Sequence, residues 1–388
     1  MAERKRIYLC LAHMSDEGLE QKYIKEAFDT NWVVPLGPNV NGFEADLEKF
    51  VNTNPTNDTN LSKRVVALSA GTAAVHLGLL NCGVKPGDEV IVQSFTFCAS
   101  THPVTYLGAT PVLVDSEPDT WNIDPELLEE AIRDRMAKTG RKPKAIVPVY
   151  LYGMPAYIDE IMEVARRYEI PVIEDSAEGF GSKYRGQMVG AIGDFGIMSF
   201  NGNKMITTSG GGALVCADDE VKRKIMFYAT QAREPEPYYL HKEIGYNYRL
   251  SNVCAGIGRG QMTVVDEHLR HHQRLARMYN EALADIDGIS VHLAPEDYME
   301  PNYWLNTVTI DPEKTGCDYE QLRQRLDAAG VESRPLWKPM HTQPVYKDAP
   351  AYVNGVSERL FAKGLCLPSG PMVTDEDFNH IIKTVKGS

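Results

Sequence analysis

A lysine within a glycine-rich stretch is the residue whose surroundings best suit covalent chemistry. Lys204 comes shortly after an apolar run, residues 195–200, and before three consecutive glycines, 210–212. A protonated lysine amine is a poor nucleophile, but a desolvated or electropositive site lowers the pKa of such an amine and lets it form a Schiff base. A lysine taken alone is more often a solvated surface residue. The small residues on both sides of Lys204 favour the reactive interpretation.

An acidic residue ends a second apolar run. Asp175 follows Ile173 and Glu174 and precedes the small residues 176–181. A carboxylate at the end of a buried strand can face a ligand. A helix N-cap or a solvated turn is an equally good interpretation of Asp175 by itself. The residues that follow look unlike a long helix and favour a binding loop.

A glycine and a threonine join a third apolar run, residues 65–68, to a helical stretch at 73–81. The start of a helix offers free N–H groups and a positive dipole end, which suit a phosphate. Gly71 lets the backbone approach such a group closely. Taken alone, the better interpretation is an ordinary N-cap at Thr72. No Gly-Lys-Ser/Thr follows, so the turn is not a P-loop.

Together these features supply what pyridoxal phosphate (PLP) requires. The helix start and the Ser199 hydroxyl can bind the phosphate. An acidic group at Asp175 can keep the pyridine nitrogen protonated, so that the ring acts as an electron sink. Phe97 is an aromatic residue that can stack on the ring, with core packing as its ordinary alternative.

The elements that must position these residues follow an alternating pattern. Short apolar runs separated by helical stretches predict buried strands and a mostly parallel sheet, whose carboxyl ends hold the ligand. Residues 210–215 follow a glycine turn closely, which predicts an added antiparallel strand. The polar segment 52–60 predicts a surface loop. A mainly helical stretch and then shorter mixed elements predict a large domain, 1–265, and a smaller α/β domain, 266–388.

The composition is that of an acidic, globular protein. The 388 residues carry a formal net charge of −13, and 43% of them are hydrophobic. The negative charge argues against a nucleic-acid partner, and the apolar runs are too short to span a membrane. The N-terminus lacks the apolar stretch of a signal peptide, so we expect a cytoplasmic protein. The seven cysteines include no C-x-x-C pair, so we expect reduced thiols and no metal site.

Beyond these patterns, the chain resembles the DegT/StrS family of PLP-dependent sugar aminotransferases nearly from end to end. The matching segments are residues 69–77, 94–115, 174–181, 199–212, 245–250 and 366–370. The resemblance implies the fold-type-I architecture of PLP-dependent transferases. That is an α/β fold with a mostly parallel mixed sheet in the large domain and a smaller C-terminal α/β domain. It also implies a homodimer with active sites at the subunit interface.

The resemblance also implies residue roles. Lys204 falls on the Schiff-base lysine, and Asp175 falls on the partner of the pyridine nitrogen. Tyr150 stands where many members carry histidine, and we assign it no role. The other implied cofactor contacts are Gly71, Thr72 and Ser199 at the phosphate, Phe97 on the ring, Glu178 near the ring where many members have Gln or His, and Asn247 from the partner subunit.

More narrowly, the chain is similar to aminotransferases that act on UDP-4-keto-6-deoxy-N-acetylglucosamine. The similar stretches are residues 31–37, 229–234 and 333–343. We therefore expect glutamate to donate an amino group to C4 of a UDP-4-keto-6-deoxy-N-acetylhexosamine. The stretch 333–343 can counter a diphosphate and pack on a base or sugar, through Arg334, Lys338, His341 and Trp337. A solvated loop with one buried tryptophan is the ordinary alternative.

Three other functions compete with this one. A sugar dehydratase of the same fold replaces the Schiff-base lysine by histidine, so Lys204 counts against it. Transfer to C3 of a dTDP- or UDP-linked keto sugar stays an alternative. So does a non-catalytic regulator built on the same fold, which a cofactor absorbance spectrum would distinguish from the enzymes.

Overall fold

The structure, a computed structural model, describes residues 5–53 and 63–387. Most of the predicted loop at 52–60 therefore lies outside the described residues. The strands are β1 (Arg64–Leu68), β2 (Glu89–Gln93), β3 (Thr110–Val114), β4 (Ile146–Val147), β5 (Ile173–Asp175), β6 (Lys183–Tyr184), β7 (Gln187–Met188), β8 (Phe195–Ser199), β9 (Gly212–Cys216), β10 (Ile289–Val291), β11 (Met299–Glu300), β12 (Asn306–Ile310), β13 (Arg334–Pro335), β14 (Ala351–Tyr352) and β15 (Gly364–Leu367).

Helices lie between most of these strands along the chain. They are α1 (Leu19–Asp29), α2 (Pro38–Val51), α3 (Gly71–Asn81), α4 (His102–Tyr106), α5 (Pro125–Thr139), α6 (Ile158–Tyr168), α7 (Asp219–Ala229), α8 (Asn252–Met262), α9 (Val265–Leu283), α10 (Pro312–Thr315), α11 (Tyr319–Ala328), α12 (Val356–Phe361) and α13 (Asp375–Lys386). None of these described helices is both long and apolar enough to cross a membrane.

A mostly parallel sheet occupies the N-terminal part of the chain. Its two four-stranded sections have the orders β1-β9-β8-β5 and β14-β3-β2-β4, and they meet through parallel bridges from Ile146 to Val172 and from Val149 to Asp175. Neighbouring strands from β8 to β14 run parallel, whereas β9 is antiparallel to both β1 and β8. The antiparallel strand predicted after the glycine turn is confirmed.

Helices cover this sheet because their apolar residues share one face. In α6, Ile158, Ile161 and Ala165 recur at helical spacing and are buried in a cluster with sheet residues. Helix α3 is buried along most of its length, because Leu77 and Leu79 pack in a second cluster with β2 and β9. Its full burial holds its first turn firmly against the carboxyl ends of the strands.

A smaller antiparallel sheet, in the order β10-β12-β15-β13, lies in the C-terminal part. Apolar side chains of α9, α11 and α13 pack with it in a separate cluster. Two segments cross the predicted boundary near residue 265: β14 pairs with β3 of the large sheet, and Ile7 forms a bridge with Val331. The division into 1–265 and 266–388 stays a proposal.

Candidate active site

One cavity of about 360 Å³ lies where the large sheet meets the start of α3. Its walls come from the carboxyl ends of β5 and β8, the first turn of α3 and the loops after β2 and β8. The structure brings together here seven of the predicted cofactor residues: Gly71, Thr72, Phe97, Asp175, Glu178, Ser199 and Lys204. Residues as far apart in sequence as 71 and 204 meet because parallel strands end at the same edge of a sheet.

Lys204 reaches the cavity from the loop between β8 and β9. Its side chain is only 13% exposed, and its Nζ lies 3.6 Å from Glu178 Oε1. The same Nζ sits 3.9 Å from the centre of the buried Trp304 ring, which is a cation–π contact. The amine is thus held in a largely desolvated position between a carboxylate and an aromatic face. Such a position suits a lysine that must react.

Asp175 is the last residue of β5 and is fully buried. Its Oδ2 accepts a hydrogen bond from Ser100 Oγ at 2.6 Å, and its Oδ1 accepts one from the Ala177 N–H at 3.1 Å. Burial raises the pKa of Asp175, while the Ser100 hydroxyl, the Ala177 N–H and the charge of Lys204 act in the opposite direction. No helix begins at Asp175, so neither ordinary interpretation, N-cap or solvated turn, applies.

Glu178 is a second buried carboxylate on the same loop. Its Oε2 accepts the Tyr152 N–H at 2.7 Å, and its Oε1 accepts the Trp337 indole N–H at 3.3 Å. Burial raises the pKa of Glu178, and the nearby Lys204 lowers it. Tyr152 holds a left-handed backbone conformation, with φ of 54°. The Trp337 backbone N–H donates to the Tyr152 hydroxyl at 2.7 Å, which ties residue 337 to this wall.

The first turn of α3 faces the cavity without a capping side chain. The N-cap residue is Ala70, so the predicted alternative of a cap at Thr72 is wrong. Gly71 lies against Ser199, because a Cβ on Gly71 would come within 3.2 Å of the Ser199 Cβ. A Cβ on Gly212 would lie 2.3 Å from the Gly71 nitrogen, so only glycine lets β9 pass this close. The uncapped N–H groups and the adjacent hydroxyl suit an anion such as phosphate.

Phe97 forms another wall, and 49% of it is exposed. Its ring centre lies 5.4 Å from that of Trp337. A half-exposed aromatic ring at a cavity is not core packing and leaves a face for a planar ligand. Uncapped N–H groups, a buried carboxylate, a desolvated lysine and this ring fit the phosphate, the pyridine nitrogen, the aldehyde and the ring of PLP.

The predicted substrate residues are placed less uniformly. Lys338 lines a second cavity of about 340 Å³, which shares Phe97 and Trp337 with the first. Arg334 forms an ion pair with Glu332 at 2.8 Å, and its side chain is 66% exposed. Neither Arg334 nor His341 is among the residues that line these two cavities. Their roles in substrate binding stay predictions.

His341 is engaged on both sides of its ring. Its Nδ1 lies 2.7 Å from Ser94 Oγ, and its Nε2 lies 3.2 Å from Glu358 Oε1. Its side chain is 8% exposed. These contacts place His341 in the wall that supports residues 337 and 338, with both ring nitrogens already occupied.

Asn247 does not line the cavity of its own chain. It is exposed and forms an antiparallel bridge with Thr230. The next residue, Tyr248, accepts the Ser69 N–H at 2.8 Å, so the segment runs beside the turn that leads into α3. An exposed asparagine there is available to another subunit, and its predicted role across an interface stays a prediction.

Sequence reasoning missed three residues of the site. Ser100 bonds Asp175, Trp304 packs on Lys204, and Tyr152 bonds Glu178 and residue 337. Trp304 and Tyr152 carried no local signal, because their neighbours in the sequence are far from the motifs. Ser100 lies three residues after Phe97, and that spacing was the one available hint. No His, Cys, Asp and Glu group suited to a metal occurs in residues 5–53 and 63–387, and all seven cysteines are free.

Comparison with known proteins gives a consistent family. The profile of the DegT/DnrJ/EryC1/StrS aminotransferase family matches residues 15–386. EpsN from Bacillus subtilis (strain 168), a protein assigned to the pyridoxal phosphate-dependent aminotransferases, is 46% identical over 98% of this chain and 95% of its own. A GDP-perosamine synthase from Caulobacter vibrioides is 38% identical over 94% of both chains. A dTDP-3-amino-3,4,6-trideoxy-alpha-D-glucose transaminase from Streptomyces venezuelae is 32% identical over 90% of this chain and 87% of its own.

Solved structures agree. An aminotransferase of this family from Brucella abortus is 30% identical, with a TM-score of 0.87 over 96% of this chain and 95% of its own. The sugar aminotransferase Spr1654 from Streptococcus pneumoniae, in its PLP form, is 25% identical, with a TM-score of 0.85 over 98% of both chains. These neighbours confirm the predicted fold type I and PLP as the cofactor.

Proposed function

The chain belongs to the DegT/DnrJ/EryC1/StrS aminotransferase family, and from that premise we propose that it aminates C4 of a UDP-4-keto-6-deoxy-N-acetylhexosamine, with glutamate as donor. The coarser activity is that of a PLP-dependent sugar aminotransferase. The observation that carries the proposal is the convergence of Lys204 and Asp175 on one cavity whose opposite wall is an uncapped helix start. A lysine and a carboxylate placed in this way can handle protons on either side of a bound PLP ring.

The proposed roles follow from the geometry. When bound, PLP supplies an aldehyde that accepts the amino group and a ring that takes up electrons. The first turn of α3 and Ser199 hold the phosphate, and Phe97 covers the ring. Asp175 holds a proton on the pyridine nitrogen. With PLP bound, Lys204 Nζ would carry a proton between the α-carbon of glutamate and the carbon C4′ of the cofactor, and it would act in the reverse sense for the sugar.

Glu178 is well placed to assist Lys204. Its Oε1 lies 3.6 Å from the amine, and its other oxygen is held by the Tyr152 N–H. A carboxylate fixed at this distance attracts the amine. Glu178 thereby positions the Lys204 amine against the Trp304 ring. The resemblance also implies a contact of Glu178 near the cofactor ring, and that contact stays a prediction.

The choice of a UDP-linked sugar is supported by the resemblance of residues 31–37, 229–234 and 333–343 to enzymes for such sugars. Lys338, which lines the second cavity, offers a positive charge to a diphosphate. Relatives named for GDP- and dTDP-linked sugars make the nucleotide the point to be tested.

The deciding experiment supplies PLP, glutamate and a panel of UDP-, GDP- and dTDP-linked 4-keto-6-deoxy sugars. We expect turnover with the UDP-linked N-acetylhexosamine, and we expect NMR of the product to place the new amine at C4. Lys204→Ala is the control for turnover that depends on the site. An amine at C3, or turnover confined to GDP- or dTDP-linked sugars, would refute the substrate assignment and leave the aminotransferase class intact.

We also propose that the protein acts as a homodimer in which Asn247 contacts the phosphate in the partner's site. Residues 28–36 expose several large apolar side chains in one stretch: Phe28, Trp32, Val33, Val34 and Leu36. A concentration of exposed apolar side chains favours a protein partner. The segment carrying Asn247 also exposes Tyr239 and Ile244, by 78% and 84%. Burying both segments against a second copy would bring Asn247 to that interface.

A further inference from the structure

Two buried hydroxyl groups lie behind the Asp175 carboxylate. Thr96 and Ser100 are 1% and 2% exposed, and the segment between them carries the half-exposed Phe97. Thr96 Oγ1 lies 2.8 Å from Ser100 Oγ, which in turn lies 2.6 Å from Asp175 Oδ2. One short segment therefore supplies both the aromatic wall of the cavity and a chain of hydroxyls to the carboxylate on β5.

The number of available protons determines which group donates in each of these two hydrogen bonds. An ionised carboxylate can only accept hydrogen bonds, so Ser100 must donate its single hydroxyl proton to Asp175. That leaves Ser100 as the acceptor in its contact with Thr96, so the Thr96 hydroxyl donates. The order is Thr96 to Ser100 to Asp175, and each bond polarises the next in a buried setting. A protonated Asp175 would remove the reason for this order.

The hydrogen-bonded hydroxyls of Thr96 and Ser100 oppose the effect of burial on the pKa of Asp175. Burial alone favours the neutral carboxyl and raises its pKa, while the Ser100 hydroxyl, the Ala177 N–H and the positive charge of Lys204 favour the ionised form. Glu178 carries a like charge nearby, and the charge of Asp175 raises the pKa of Glu178. Among the groups that offset burial, the Ser100 hydroxyl has the largest effect on the pKa of Asp175, and its bond to Oδ2 is the shorter of the two hydrogen bonds.

We propose that Ser100 is a positioning residue that keeps the Asp175 carboxylate ionised and aimed at the pyridine nitrogen of PLP, with Thr96 orienting the Ser100 hydroxyl. This inference rests on the role given to Asp175 in the proposed function. It adds that the role depends on a residue 75 positions away in sequence, on the same segment as the ring-covering Phe97. Ser100 lines the same cavity, and in this scheme it acts through its hydrogen bond to Asp175.

The chain offers a matched control next to Ser100. Thr101 is also fully buried, and its hydroxyl finds no hydrogen-bond partner within the described part of the chain. Thr101→Val removes a buried hydroxyl from the same segment without touching the path to Asp175. Thr96→Val removes the outer hydroxyl and leaves Ser100 in place. The melting temperature of each apo variant reports whether the fold is kept.

The first measurement is the dissociation constant of PLP from the apo protein, together with 15N NMR of bound PLP labelled at the pyridine nitrogen. We expect Ser100→Ala to weaken PLP binding by about 10-fold or more, since hydrogen bonds to charged groups are strong. The labelled nitrogen should lose its proton at lower pH than in the parent. Thr96→Val should change both quantities in the same direction by a smaller factor, and Thr101→Val should leave both within about twofold.

A double-mutant cycle separates positioning from a general structural effect. In an Asp175→Asn background, Ser100→Ala should cause less than about a twofold further loss of PLP affinity. An equal loss in both backgrounds, or a nitrogen titration unchanged by Ser100→Ala, overturns the proposal. If Ser100→Ala fails to fold, Thr96→Val decides, and a titration like that of Thr101→Val overturns it. No sugar is used, so a failed amination assay would refute the substrate without touching this result.

Discussion

Replacing Asp175 by asparagine tests the central assignment most directly, because the structure shows how little else the change disturbs. The amide oxygen can keep the bond from the Ala177 N–H, now at 3.1 Å, and the amide NH2 then faces Ser100 Oγ. Ser100 turns from donor to acceptor, and both contacts survive in neutral form. The substitution therefore removes one buried negative charge and almost no volume.

The loss of that charge should be severe for amino transfer. A neutral amide cannot hold the pyridine nitrogen protonated, so the ring no longer takes up electrons effectively. We expect the rate of the half-reaction with glutamate to fall by about 10³-fold or more, a barrier increase of roughly 4 kcal/mol. The assay follows the cofactor absorbance after mixing with glutamate in a stopped-flow instrument. A rate within about tenfold of the parent, or ~1.4 kcal/mol, would refute the role of Asp175.

The same substitution should act in the opposite direction on the stability of the apo protein. Burial raises the pKa of Asp175, so between the unfolded and folded pKa values the folded state binds more protons than the unfolded state. The free energy of unfolding of the parent therefore falls as pH rises through this window. The asparagine variant lacks the ionisable group and does not show this decrease. We expect the free energy of unfolding of Asp175→Asn, relative to that of the parent, to increase from pH ~4 upward. The buried Glu174 and Glu178 are present in both proteins, so their titrations largely cancel. Urea titrations showing a pH-independent difference would contradict this reasoning.

The other predictions concern the lysine, its neighbour, the interface and the substrate. Borohydride reduction should fix PLP to Lys204, and a label on any other lysine in peptide mapping would overturn the assignment. Glu178→Gln should slow proton transfer by Lys204 while PLP stays bound, because the amide lacks the charge that attracts the amine; an unchanged rate would exclude the influence of Glu178 on the amine. Mixing inactive Lys204→Ala with an inactive Asn247 variant should restore up to about half of the sites in each mixed dimer, and no recovery in proven mixed dimers would place both residues in one chain's site. Lys338→Ala should raise the KM for the sugar nucleotide more than that for glutamate, and Arg334→Ala, already paired with Glu332, should have the smaller effect; the reverse order would place the diphosphate elsewhere.

Local sequence patterns were sufficient to predict much of the fold. Alternating apolar runs predicted the strands of the large sheet, and the helical stretches between them predicted helices such as α6. The strand after the glycines was predicted as an antiparallel addition and is one. These features are local because side-chain burial repeats with the period of the element itself. The reactive lysine and the acidic strand end were also visible in this way, since Asp175 ends one strand and Lys204 lies in the loop that follows another.

Contacts between distant residues were decided only by the tertiary structure. No sequence pattern predicted that Ser100 would contact Asp175, that Trp304 would contact Lys204, or that His341 would contact Ser94, yet packing brings each pair together. The tertiary structure also decided that Ala70, and not Thr72, is the N-cap residue of α3. The N–H groups of the first turn are therefore left uncapped by a side chain. A short-range pattern reports which face of an element is buried, because that depends on its own periodicity. Which polar group meets another depends on how whole elements are stacked, and that information exists only in three dimensions.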